Sequence, residues 1–159
     1  GRHDEAIAHL NKTAELYPDN ALVRYNLGDV FAAKGKYAES VEQYLMAFRL
    51  EGQSANEVQK YINANQNAGW KGFWGEYLRT KLESQKIALE QDKNAYIENE
   101  SLAFAFAANQ NKQKTIEYLN KAFEERDPYL ITIKMSRFYD FLGNDAEFKE
   151  LVKKIGLPE

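Results

Sequence analysis

The 159-residue sequence contains no cysteine, which removes disulfides, thiolate zinc sites and cysteine nucleophiles at once. Compartment stays open, because cytosolic and periplasmic proteins can both lack the residue. Proline is scarce. Pro18, Pro128 and Pro158 are the only three, so the strongest helix breaker is missing between residues 19 and 127. β-Branched residues are also few: valine, isoleucine and threonine total 17 against 34 for alanine plus leucine, a balance that disfavours an all-β fold. Basic charge is not in excess. With 21 basic and 24 acidic side chains the net charge is −3, which offers no broad cationic field for counterion release, so direct nucleic-acid binding is not expected. No apolar run reaches the ~20 residues of a membrane span, and no charged-then-apolar signal segment opens the chain.

What is present is helical periodicity. Apolar residues recur at three- and four-residue steps through Ile7, Leu10 and Ala14, then Leu27, Val30 and Phe31, then Val41, Tyr44, Leu45 and Phe48. The pattern predicts helices over about 4–17, 20–34, 37–50, 54–67, 70–91, 95–109, 112–126 and 145–155. Ser54 with Glu57 reads as a capping box, and Asn144 with Glu147 as a weaker one. Gly35, Gly52 and Gly156 sit where a left-handed residue closes a helix, and Pro158 is expected to stop the last one. Residues 128–143 are less regular; Tyr129 to Ile133 can be read as a short strand or as an apolar turn covering the end of the array.

Self-comparison adds a period. A shift of 34 positions lays Ala6 on Ser40, Leu10 on Tyr44, Pro18 on Gly52, Gly35 on Gly69 and Tyr44 on Leu78. Within 21–54 the order Leu27-Gly28, Phe31, Gly35, Tyr37, Ser40, Tyr44, Ala47 resembles the tetratricopeptide repeat. Residues 4–18, ending in Pro18, resemble the second helix of a truncated repeat. Leu102-Ala103, Phe106, Thr115, Leu119 and Ala122 resemble a later unit over 96–128, with Gln110 in place of the turn glycine and the amides Asn109 and Asn111 beside it. From Leu27 to Leu102 is 75 residues, seven more than two periods, so the intervening unit over 55–95 is extended and divergent. Trp74 stands there where a small residue is expected, which implies altered spacing of its helix pair. Residues 129–159 read as a C-terminal cap.

The resemblance implies an all-α fold of antiparallel helix pairs, stacked in one domain over 1–159 as a right-handed superhelix with a concave groove. It implies a noncatalytic protein- or peptide-binding scaffold. The segments Gly69 to Trp74, Phe123 to Pro128 and Glu147 to Pro158 are further similar to the tetratricopeptide tails of bacterial one-component transcription regulators and related signalling proteins with winged-helix, kinase or cyclase heads. The apolar stripe Ile7, Leu10 and Ala14 with no partner helix before it is expected of a C-terminal fragment of a larger protein, and Gly1 reads as a residue of processing; the compartment is left open, with cytoplasmic favoured and periplasmic the alternative if the parent has a membrane span. The partner is then a protein, a peptide or another domain of the parent. The alternative is a sensory domain whose small-molecule ligand controls the attached head.

The groove-facing positions fall, by resemblance, on Leu22, Tyr25, Asn26, Asp29 and Ala33. An aromatic beside an amide and a carboxylate can hold an extended peptide by stacking and hydrogen bonds; the bland reading is a solvated helix surface. Lysine and asparagine pairs that clamp a terminal carboxylate in chaperone-binding members are absent, since Tyr25 and Asp29 occupy those places and Ile97, Glu100 and Phe104 the later equivalents. Trp70, Phe73, Trp74 and Tyr77 can form an aromatic ligand box, although core packing is the preferred reading. His3 and His9, six apart, point to different helix faces, unlike a helical metal pair. No phosphate loop, nucleophile elbow or catalytic triad is legible, and neither an enzyme activity, a metal nor a cofactor is expected.

Overall fold

Short polar side chains fix where the helices begin. The computed structural model describes residues 2–134 and 136–157, so the expectations attached to Gly1 and Pro158 lie outside the described residues. Helix α1 spans Arg2–Leu16, and Asn20 then starts α2 (Ala21–Ala33), its side-chain oxygen accepting from the amides of Leu22 and Val23 at 3.0 and 3.4 Å. Helix α3 spans Tyr37–Leu50. The Ser54 and Glu57 box forms reciprocally: the Ser54 amide donates to the Glu57 carboxylate at 2.8 Å, and the Glu57 amide donates to the Ser54 hydroxyl at 3.3 Å. It opens α4 (Ala55–Gln91), which turns a corner at Ala68 and Gly69. Gly69 holds φ 59° and ψ −148°, a conformation reached easily only without a Cβ, so the span is two helices, α4a (residues 55–67) and α4b (residues 70–91). Helices α5 (Asn99–Ala108), α6 (Lys112–Glu124) and α7 (Ala146–Ile155) follow. The cap of α7 is Asp145 rather than Asn144; its carboxylate accepts from the amides of Glu147 and Phe148, a correction of one residue to the expected box.

Helix ends follow the same local logic. Gly35, Gly52 and Gly156 are left-handed, with φ of 72°, 85° and 84°. At the turn after α5 the left-handed residue is Gln110 itself, at φ 55°. Its neighbours have other work: Asn109 donates from its side chain to the carbonyls of Trp74 and Ala105, both at 2.9 Å, and Asn111 caps α6 by accepting from the Lys114 amide.

Among the described residues of 128–143 there is no strand. They form two 3-10 helices, Pro128–Thr132 and Arg137–Leu142, the first started by Asp127 accepting from the Tyr129 amide at 2.9 Å. Burial shows why the strand reading fails. In a strand Ile131 and Ile133 would share a face, yet Ile131 is 65% exposed while Ile133 and Leu130, three residues apart, are buried. The apolar-turn alternative holds, with Leu130, Ile133, Tyr139 and Leu142 packed in one cluster with α5, α6 and α7 residues. Among the described residues there is no β-strand at all, and the fold is the all-helical arrangement of helix pairs expected of a helical repeat protein.

The chain divides into two compact units, residues 1–73 and 74–159. In the first, α1 packs on α2 through Ala14, Val23 and Leu27, flanked by Ile7, Leu10 and Phe31. Helices α2 and α3 approach closely at Gly28: the Ser40 hydroxyl donates to its carbonyl at 2.7 Å, and a Cβ added there would lie 3.0 Å from the Tyr44 ring. In the second unit α5 and α6 pair through Leu102, Ala103, Phe106, Ile116, Leu119 and Ala122. Phe106 and Tyr118 stack there at 5.3 Å.

Candidate functional site

Helix α2 carries all five expected groove positions. Leu22, Asn26 and the residues between them start from the Asn20 cap, and a 3.6-residue turn puts Leu22, Tyr25, Asn26, Asp29 and Ala33 on one side. Leu22 and Asn26 are exposed; Tyr25, Asp29 and Ala33 are half-buried. Helix α3 and the turn after it hold the half-buried members in place. The Tyr25 hydroxyl donates to Glu51 at 2.5 Å, and its ring meets Tyr44 at 6.1 Å and the edge of Phe48 at 6.2 Å. Asp29 accepts from the Tyr44 hydroxyl. Burial raises the Asp29 carboxyl above its ordinary range, and the Tyr44 hydrogen bond pulls it partly back. Tyr25 and Asp29 are thus joined through Tyr44. Glu51 belongs to this group without any periodic signal, because it lies just beyond the end of α3.

Trp70 and Phe73 belong to the first unit, Trp74 and Tyr77 to the second. Phe73 is 0% exposed, stacked on Phe48 at 6.0 Å and tilted against Tyr61 at 5.6 Å. Trp70 lies 4.9 Å from Tyr37 and 6.4 Å from Tyr44. Trp74 is 1% exposed and meets the rings of Tyr77, Phe104 and Phe138 edge-on.

Seventy-five residues after Leu22, Tyr25 and Asp29 come Ile97, just before α5, and Glu100 and Phe104 on it. There the equivalent side of the helix is covered by the chain's own 3-10 helix Arg137–Leu142: Phe138 packs on Phe104 at 4.7 Å, and the Tyr139 hydroxyl donates to Glu100 at 3.2 Å. Burial pushes the Glu100 carboxyl up to about 7, opposed by the Tyr139 hydrogen bond and the charge of Lys81 and reinforced by Asp127 and Glu98. The folded chain therefore keeps a proton on Glu100 that the unfolded chain loses above about 4.5, so this residue's effect is to lower stability as pH rises from about 4.5 to about 7. Glu100→Gln, which is neutral throughout, is expected to melt above the parent at pH 8 and to match it more closely at pH 4. Thermal melts across that range read the difference.

His3 and His9 are exposed on α1, and among the described residues no three histidine, aspartate or glutamate side chains gather as metal ligands. No helix among the described residues is long and apolar enough to cross a membrane.

Residues 1–35, which comprise α1, its turn and α2, match a family model described as TPR repeat. The likeness to that repeat covers residues 1–35 of the 159. No curated protein and no solved structure matches it significantly. Repeats of this family generally mediate protein–protein contact and are generally noncatalytic modules. The match includes every one of the five α2 positions above, so the candidate face lies within the matched segment.

Proposed function

We propose that the chain is a noncatalytic scaffold that binds a protein or peptide segment along the Leu22, Tyr25, Asn26, Asp29 and Ala33 face of α2. The observation that carries the reading is the combination on that face of exposed Leu22 and Asn26 with Tyr25 and Asp29 already fixed by Glu51 and Tyr44. A preset anchor loses little freedom when a partner arrives, and an aromatic held at its hydroxyl end presents large contact area at low entropic cost. The parent is a bacterial regulatory or signalling protein, and this part of it recognises either a separate chain or the parent's own effector head.

Selection of peptides from a random display library against the full chain, followed by titration of the winners, tests the reading. Tyr25→Ala is expected to weaken binding by at least about tenfold, since buried tyrosines are frequent anchors, while helicity by circular dichroism stays unchanged. Binding that survives Tyr25→Ala, Asn26→Ala and Leu22→Ala alike would place the contact elsewhere. The upstream coding sequence tests the other half: a winged-helix, kinase or cyclase head is expected.

A further inference from the structure

The α2 face holds a carboxylate with no cation against it. Asp29 lies one turn beyond Tyr25, on the same side of the helix. Its one side-chain hydrogen bond comes from the Tyr44 hydroxyl, and no described lysine or arginine pairs with it. The basic residues at either end of α2 are engaged elsewhere, Arg24 with Gln43 at 3.3 Å and Lys34 with Asp4 of α1. A second acid, Glu51, stands at the hydroxyl end of Tyr25. The face is therefore acidic and aromatic, and none of its five positions carries positive charge.

The second unit offers an internal contrast. Glu100 is likewise a half-buried carboxylate accepting from a tyrosine, but it lies within electrostatic reach of Lys81. Asp29 has no such cation and, half-buried like Glu100, keeps part of its carboxylate within reach of a side chain from outside.

We infer that this face receives an arginine side chain of the partner peptide, its guanidinium stacked on Tyr25 and paired with Asp29. The inference rests on the binding reading above and gives the partner its chemistry. A carboxylate partly stripped of water and given one donor gains most from a second, charged donor. Guanidinium is weakly hydrated, planar and rich in N–H groups, so it can meet the remaining lone pairs of Asp29 while its flat surface lies on an aromatic ring. A cation entering here also meets the field of Glu51, whereas an acidic segment would be repelled by both carboxylates. Burial that holds the Asp29 carboxyl above its ordinary range points the same way, because a bound cation would bring it down.

The test uses the full chain and the peptides selected from the random library. Each arginine of the tightest binders is replaced in turn by citrulline, which keeps the shape and removes the charge, by lysine, and by glutamate; affinities are read by fluorescence anisotropy. One arginine is expected to dominate, with citrulline weakening binding at least about tenfold, as for the loss of a desolvated charge pair. Lysine should recover only part of the loss. Asp29→Asn, which still accepts from Tyr44, should weaken the arginine peptide to a similar degree and leave the citrulline peptide unaffected, and the Asp29 carboxyl followed by NMR should titrate at lower pH with peptide bound. Binders that tolerate citrulline at every position, a lysine version as tight as the arginine one, or indifference to Asp29→Asn would overturn the inference. If Tyr25→Ala still weakened those binders, the binding face itself would stand. If no peptide bound at all, both would fall together.

Discussion

Gly72→Ala is expected to cost about 3 kcal/mol of stability, the upper end of the usual overpacking penalty. Gly72 lies in the first turn of α4b, where a Cβ would sit 2.1 Å from the Ala64 carbonyl oxygen and 2.9 Å from the Ala68 Cβ. The nearer obstacle is backbone, so no rotamer change can relieve it; the corner at Ala68 and Gly69 must open instead. Gly28 differs, because there the nearest atom belongs to the Tyr44 ring, a side chain with some room to tilt. Gly75→Ala is the control. Its nearest neighbour is the Asn109 side-chain oxygen at 4.0 Å, so alanine should be neutral or stabilise by about 0.5–1 kcal/mol through reduced backbone entropy in the unfolded chain. Urea titrations of the three chains by circular dichroism settle the ranking. Equal midpoints for Gly72→Ala and the parent would mean that the two arms of α4 do not touch there.

The contrast shows which parts of the architecture can be read from sequence. Periodicity and punctuation report local geometry, so the predicted 37–50 helix coincides with α3 and the break between 67 and 70 falls on Ala68 and Gly69. Close approach between helices is harder to read. Bulky Trp74 at an expected small position implies altered spacing, but the small residue that lets α4a and α4b meet is Gly72, two positions earlier. An unexplained glycine inside a good helix was the available signal.

The candidate site divides in the same way. The helical repeat alone puts Tyr25 and Asp29 on one side of α2. It does not reveal that Tyr44, 15 residues beyond Asp29, ties the carboxylate down, or that Glu51, 26 residues beyond Tyr25, takes the phenol. Glu100 and Tyr139 are 39 residues apart, and their bond depends on where an irregular segment folds back. Such pairings are set by packing of elements distant in sequence, for which a single chain of letters carries no periodic trace.

Trp74→Ala is expected to be the most damaging single truncation of an aromatic in the second unit, at about 4 kcal/mol. The indole is sealed from solvent and meets three rings edge-on, with centroids 5.3 Å away at Tyr77, 5.4 Å at Phe104 and 4.8 Å at Phe138. Removing it loses the buried area, leaves a cavity, and forfeits edge-to-face contacts each worth about 0.5–1.5 kcal/mol beyond burial. Phe138 belongs to the 3-10 helix that covers Glu100, so loss of the indole should also loosen the Tyr139 hydrogen bond. Near-ultraviolet dichroism and denaturant titration would register both effects, as a flattened aromatic signal and a lower midpoint. Trp74→Phe should lose less than half as much, because a ring remains among the three partners. A Trp74→Ala chain with the parent's midpoint would show that the indole lines a space meant for a ligand, and the preference for packing over a binding box would be reversed.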